Sequence, residues 1–160
     1  MTLNDLLPLL GHSELDANLE RLLKSAGASV QSLSAKTLRT EGSDAIELKA
    51  LGLELAFWER EGYGRKVGTP KDAGQAILVA VFAYGRASKS FKPYAGPVPF
   101  SSGPIATRED ALREFGTPEL TEEDDDVVEW DQWTRQGLQL RATYQEDTSL
   151  WNLSFSVPFK

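Results

Sequence analysis

Four groups of residues in this chain have the types and spacing to do chemistry. His12 is the sole histidine, set beside Gly11 ahead of a helix. A Ser-His-Asp triad or a metal site built on it needs partners that no neighbouring motif supplies, so it reads as a turn residue. Asp124, Asp125 and Asp126 offer hard oxygen ligands, but an EF-hand loop counted from Asp124 requires Gly at its sixth position and meets Glu129. Gly62, Gly64 and Gly68 lie in Glu-Gly-Tyr-Gly-Arg-Lys-Val-Gly, which lacks the Gly-Lys-Ser/Thr of a phosphate loop and reads as a flexible basic loop. Glu129 and Asp131, two residues apart on a strand, would stand ~7 Å apart on one face, a spacing a carboxylate pair in a glycosidase can use. Nothing nearby raises either pKa, so a solvated strand face is the reading. No catalytic constellation, metal centre or cofactor site is predicted.

The stretch Glu122–Trp133 points to recognition. Seven of its twelve residues are carboxylates, yet Val127, Val128, Trp130 and Trp133 give it strand-forming, apolar character. A negative, aromatic surface on a rigid sheet is expected, with Glu122, Glu123, Asp124, Asp125, Asp126, Glu129, Asp131 and Trp133 as the partner-binding residues. The competing reading of the acidic run is a solvated loop kept for solubility.

Charge is unevenly spread. Among the 160 residues, with a net charge of −7, the segment from Glu109 to Asp131 holds eleven acids against Arg113, while Arg60 to Lys92 holds seven bases against Glu61 and Asp72. An acidic surface repels nucleic acid and attracts basic proteins, raising their association rate at low salt. With no cysteine, disulfides and thiolate metal sites are excluded. The first ten residues have no basic flank and carry Asp5, unlike a secretory signal, and no apolar run approaches the ~20 residues of a membrane span. A cytoplasmic protein contacting neither membrane nor nucleic acid is expected.

The elements that must position these residues follow from periodicity. Ser13 with Asp16 resembles a capping box, and Leu15, Leu19, Leu22 and Leu23 draw one helical stripe that ends at Gly27. Ala45–Ala50 and Leu53–Phe57 alternate around Gly52, Glu59–Gln75 reads as an extended loop, and Ile77–Tyr84 runs apolar on both faces like a central strand. Four prolines between Arg86 and Ile105 mark a linker. A second capping box at Thr107 and Asp110 opens a helix through Ala111, Leu112 and Phe115, closed by Gly116. Val127–Trp133, Leu138–Tyr144 and Trp151–Val157 follow as strands. Gly52-Leu53-Glu54-Leu55 matches Gly137-Leu138-Gln139-Leu140 in form and position. The chain therefore reads as α+β: two tandem helix-plus-three-strand repeats, residues 1–85 and 107–160 joined by a linker at 86–106, forming one continuous antiparallel sheet with helices on one face.

This order of elements resembles the tandem architecture of β-lactamase inhibitor protein, and the Ala111–Pro118 phrase is similar to that of small outer-membrane-assembly lipoproteins. Trp133-x-x-x-Gly137 leading into Leu138-x-Leu140 and Tyr144 resembles immunity proteins of polymorphic toxin systems. The resemblance implies a protein without turnover that binds and neutralises a toxin or effector enzyme with a basic active-site surface. A small enzyme or ligand-binding module using the groove between repeats, and a structural adaptor, are the alternatives.

Two arguments disagree over which tryptophan faces the core. Alternation puts Val128 and Trp130 inward and Glu129, Asp131 and Trp133 on the open face. Aligning the turn glycines puts Trp133 on a core position and sends Glu129 and Asp131 inward with it unless a bulge intervenes. Burying unpaired carboxylates costs several kcal/mol each, which favours alternation and makes Trp133 the expected interface anchor.

Overall fold

A computed structural model describes residues 1–159. Its centre is an antiparallel sheet of seven strands: β1 (Ser43–Leu48), β2 (Leu53–Glu59), β3 (Ala76–Tyr84), β4 (Leu120–Asp124), β5 (Val127–Arg135), β6 (Leu138–Tyr144) and β7 (Leu150–Ser156). Their spatial order is β1-β2-β3-β7-β6-β5-β4. Two meanders thus meet where β3 pairs with β7, from Ala80↔Ser156 to Tyr84↔Asn152. The apolar run of β3 is explained by this interior position, with Ala76 to Val81 all buried.

Five helices flank the sheet: α1 (Leu3–Leu6), α2 (Ala17–Ser25), α3 (Ala35–Glu41), α4 (Arg60–Lys66) and α5 (Arg108–Phe115). α5 carries the expected Thr107/Asp110 capping box. At α2 the cap falls elsewhere. Asp16 is itself the N-cap, accepting from the Leu19 amide, while Ser13 bridges to Ile77 with its hydroxyl fully buried, and Leu15 lies outside the stripe. The expected loop at Glu59–Gln75 contains α4, because burying Tyr63 outweighs the low helix propensity of Gly62 and Gly64. α3 gave no periodic signal, since Leu38 is its sole buried residue; Ser34 caps its start and Gly42 its end.

One face of the sheet forms the core. Ile46, Leu55, Val81, Phe155, Leu140 and Trp133 run across it from β1 to β5 as directly opposed residues. Leu3, Leu6, Leu19, Leu23, Leu38, Ala111 and Phe115 from the helices join the same cluster. Phe100 of the linker packs on Phe155 at 6.4 Å between ring centroids.

Three bulges interrupt the ladders, each leaving one residue without an opposite number: Val79 in β3, Glu129 in β5 and Trp151 in β7. A bulge shifts the inward/outward alternation by one residue. This is where the face assignment above fails. Val128 packs against the core as alternation requires, but past Glu129 the parity reverses: Asp131 and Trp133 point inward and Trp130 outward.

The two turn glycines differ in what surrounds them. Both Gly52 and Gly137 have positive φ, 69° and 77°, but a Cβ at Gly52 would strike the backbone of Lys92 and Tyr94, whereas one at Gly137 meets open space. Gly137→Ala is expected to destabilise by about 1 kcal/mol, the conformational penalty alone, and Gly52→Ala by roughly 3 kcal/mol or more because the linker must also move. Chemical denaturation of the two variants checks the order; equal losses would mean the linker is not held against this turn.

Candidate functional site

The acidic run forms a hairpin at the sheet edge. Glu122, Glu123 and Asp124 lie on β4, the outermost strand, and Asp125 and Asp126 make a two-residue turn with φ of 49° and 65°. Such left-handed pairs suit the right-handed twist of a hairpin, and Asp tolerates them better than most residues. All five acids are exposed, as is Glu129 on its bulge. β4 was not legible as a strand, having no buried side chain to give it a period. Its acids also guard an edge whose free amides and carbonyls would otherwise pair with another chain.

Asp131 and Trp133 are not on this surface, contrary to the expectation from alternation. Trp133 is fully buried, packs against Phe115 at 5.3 Å and donates from its indole Nε1 to the Gly116 carbonyl at 3.0 Å. It anchors α5, not a partner. Asp131 is also fully buried but is not unpaired, which removes the argument against placing it inward. Arg108 donates to it from Nε at 2.8 Å and from Nη2 at 3.3 Å, Thr121 Oγ1 at 2.7 Å and Tyr144 Oη at 2.8 Å. These partners come from α5, β4 and β6, so the carboxylate ties the helix to the two strands that flank β5. Burial pushes the Asp131 pKa up, but the hydrogen bonds from Arg108, Thr121 and Tyr144 outweigh it and hold the carboxyl below its usual range. Burial and the same carboxylate push the Tyr144 phenol well above its usual range.

Trp130 takes the outward place. Its ring carries the Arg141 guanidinium 3.9 Å from the centroid, and Arg141 donates from Nε and Nη2 to Gln132 Oε1 at 3.1 and 2.8 Å. Trp130, Arg141 and Gln132 form a stacked, hydrogen-bonded patch beside the acidic hairpin, with side chains held in place before any partner arrives. The sequence reading overlooked Arg141 and Gln132. Their cross-strand pairing, Gln132↔Arg141, was available only from the register.

The other chemical candidates resolve as structure. His12 Nδ1 lies 3.1 Å from Asp72 Oδ2 and 3.4 Å from Asp16 Oδ2, and these three side chains are the one group among the described residues that could hold a metal ion. Both carboxylates already have work, Asp16 capping α2 and Asp72 accepting from the Ser13 amide. Ser13 Oγ accepts from the Leu15 and Gly74 amides and has no exposed surface, so it is not placed as a nucleophile. Arg65 and Glu61 pair across one turn of α4, where a phosphate loop would have presented amides.

No protein-family profile, curated protein or solved structure matches the chain. Among the described residues, no helix is long and apolar enough to cross a membrane.

Two outcomes follow from the buried pair. Trp133→Ala is expected to lower stability by about 3–5 kcal/mol, as for other large core aromatics, whereas Trp130→Ala should lower it by about 1 kcal/mol or less, the worth of a partly exposed cation–π contact. Urea melts of both variants decide it, and a Trp133→Ala protein as stable as wild type would contradict the packing. Asp131→Ala is expected to destabilise by about 3 kcal/mol at neutral pH, the lower end of the range for a broken buried pair because Arg108 is partly exposed. Since the folded-state pKa of Asp131 is depressed, its contribution is fully present above the unfolded value and lost as pH falls through the folded one. The gap between wild type and Asp131→Ala should therefore narrow in acid, below about pH 4, and a gap constant with pH would mean that the charge of Asp131 contributes nothing.

Proposed function

We propose that this protein is an immunity or inhibitor protein that binds a basic toxin or effector protein through the acidic β4–β5 hairpin and the adjoining open sheet face. The observation that carries this reading is the hairpin itself: six exposed carboxylates, Glu122 to Asp126 with Glu129, held on rigid backbone next to the ordered Trp130–Arg141–Gln132 patch. Concentrated charge of one sign steers an oppositely charged partner, and an ordered aromatic with an arginine is the type of anchor that retains it. Trp130 replaces Trp133 as the anchor.

A finer reading of the fold supports the same proposal. The meanders β1-β2-β3 and β5-β6-β7 are read as two repeats joined at β3–β7; the second departs from helix plus three strands in having the extra strand β4 between α5 and β5. Leu55 and Leu140 then correspond, as do Ile46 and Trp133, which lie directly opposite them. The β1–β2 connection is two residues longer than the β5–β6 one, so the correspondence shifts by two positions and keeps the same face. This tandem order is what the resemblance to the inhibitor architecture implies.

The test is capture of the partner by the tagged chain, identification by mass spectrometry, and measurement of its toxicity with and without the chain. A basic, toxic protein whose effect is abolished is expected. Reversing Asp124, Asp125 and Asp126 together to Lys should slow association about tenfold or more at low salt and less at high salt, while Trp130→Ala should mainly speed dissociation, by about tenfold or more. Association of the charge-reversed chain at the wild-type rate, or saturable turnover of a substrate by the purified protein, would sink the reading.

A further inference from the structure

The β1–β2 connection, the C-terminal end of β3, the β6–β7 turn and the β4–β5 turn all lie at the same end of the sheet. On the open face at this end, Glu47 of β1 and Glu54 of β2 are directly opposite one another. Like charges in that position repel and destabilise a sheet. Glu47 has an exposed partner in Lys49 at 3.4 Å, but among the described residues no cation pairs with Glu54. Burial, then the Glu47 charge, push the Glu54 pKa up, with Tyr84 pulling the other way. The Tyr84 phenol is itself pushed up to about 12 by burial and by the same two carboxylates.

Aromatic rings wall this spot. Phe91 stacks flat on Tyr84 with centroids 4.0 Å apart, and Trp151 stands edge-on to Tyr84 at 6.1 Å. Trp151 is the bulged residue of β7, turned out of the ladder and 41% exposed. Gln145 lines both this cleft and the hollow beside Asp124, Asp125 and Glu129, so the two adjoin. Lys49 and Lys89 also line the cleft, Lys49 paired with Glu47, so Glu54 is the carboxylate left beside the aromatic surface without an ion pair, and what it lacks is a cation that can be desolvated. A guanidinium fits better than an ammonium, because it is planar, weakly hydrated, stacks on rings and can donate to both carboxylates at once.

We propose that the cleft formed by Glu47, Glu54, Tyr84, Phe91 and Trp151 binds an arginine side chain of the partner protein. This rests on the reading of the chain as a binder of basic proteins and names the residue type its open face takes. The arginine inserts between the β1–β2 pair and Trp151, and the partner's neighbouring basic residues run along Gln145 toward the hairpin.

The test uses the purified chain and an acetylated, amidated tetra-arginine peptide, followed by two-dimensional NMR. Saturable shifts are expected at the amides of Glu47, Glu54 and Tyr84 and at the Trp151 indole N–H. Glu54→Gln should weaken binding about tenfold, the loss of one charge-assisted contact, and Trp151→Ala about threefold, the loss of a cation–π contact. Glu54→Gln should also raise the melting temperature, because it relieves the repulsion from Glu47, so weaker binding cannot be ascribed to unfolding. The triple Lys variant of Asp124, Asp125 and Asp126 should still shift the cleft resonances. Shifts confined to the hairpin, equal affinity for tetra-lysine, wild-type affinity in Glu54→Gln, or cleft shifts that depend on protein concentration without peptide would each overturn the proposal. A chain that binds tetra-arginine in the cleft but captures no toxic protein would remove the inhibitor reading and leave the cleft standing.

Discussion

The pairing of β3 with β7 is the constraint on which the rest depends. The meanders β1-β2-β3 and β4-β5-β6-β7 would each expose a long unpaired edge at β3 and β7, and joining these edges satisfies both ladders while making a surface broad enough for five helices and the linker to share one core. At the joint Ala80, Val81, Phe82, Ala83 and Tyr84 on β3 meet Ser156, Phe155, Ser154, Leu153 and Asn152 on β7. Val81, Ala83, Leu153 and Phe155 turn to the helices, while Ala80, Phe82 and Tyr84 share the opposite face with Ser154 and Ser156. The outer strands are left as edges, and their chemistry is accordingly that of edges, with Asp44 and Glu47 on β1 and three acids on β4.

Much of this was legible in the sequence, because six strands and the helix after Thr107 announce themselves through a period or a cap. α3 and α4 did not, one with a single buried leucine, the other with glycines that argue against a helix until Tyr63 is seen to be buried. The faces of β5 were lost for a different reason. Alternation assumes two residues per repeat, and a single unpaired residue at Glu129 reverses every assignment beyond it. Aligning the turn glycines looks from the other end of the strand and placed Trp133 and Asp131 on their observed side, but it sent Glu129 inward as well, where the bulge instead leaves it exposed.

The candidate site was hidden by separation along the chain. Arg108, Thr121 and Tyr144 are 23, 10 and 13 residues from Asp131, and nothing local marks them as its partners. Without them a buried aspartate looks prohibitive; with them it joins one helix to the strands beside it. The aromatic cleft is more dispersed still, drawing on β1, β2, β3, the linker and β7. What the sequence did display was the acidic run, since charge survives without knowledge of the fold.

On the proposed reading, the exposed acids of β4 have two duties that cannot be separated. They face outward to attract, and they sit on an unpaired strand whose backbone must be kept from joining another sheet. A lineage adapting to a new partner could not discharge this strand freely, because each neutral replacement would weaken the guard as well as the attraction. Charge here can be moved, exchanged between Asp and Glu, or inverted, but not simply lost. Changes of specificity are therefore directed to positions free of that second duty, above all the open-face residues of the inner strands, where Trp130, Arg141 and Glu54 stand.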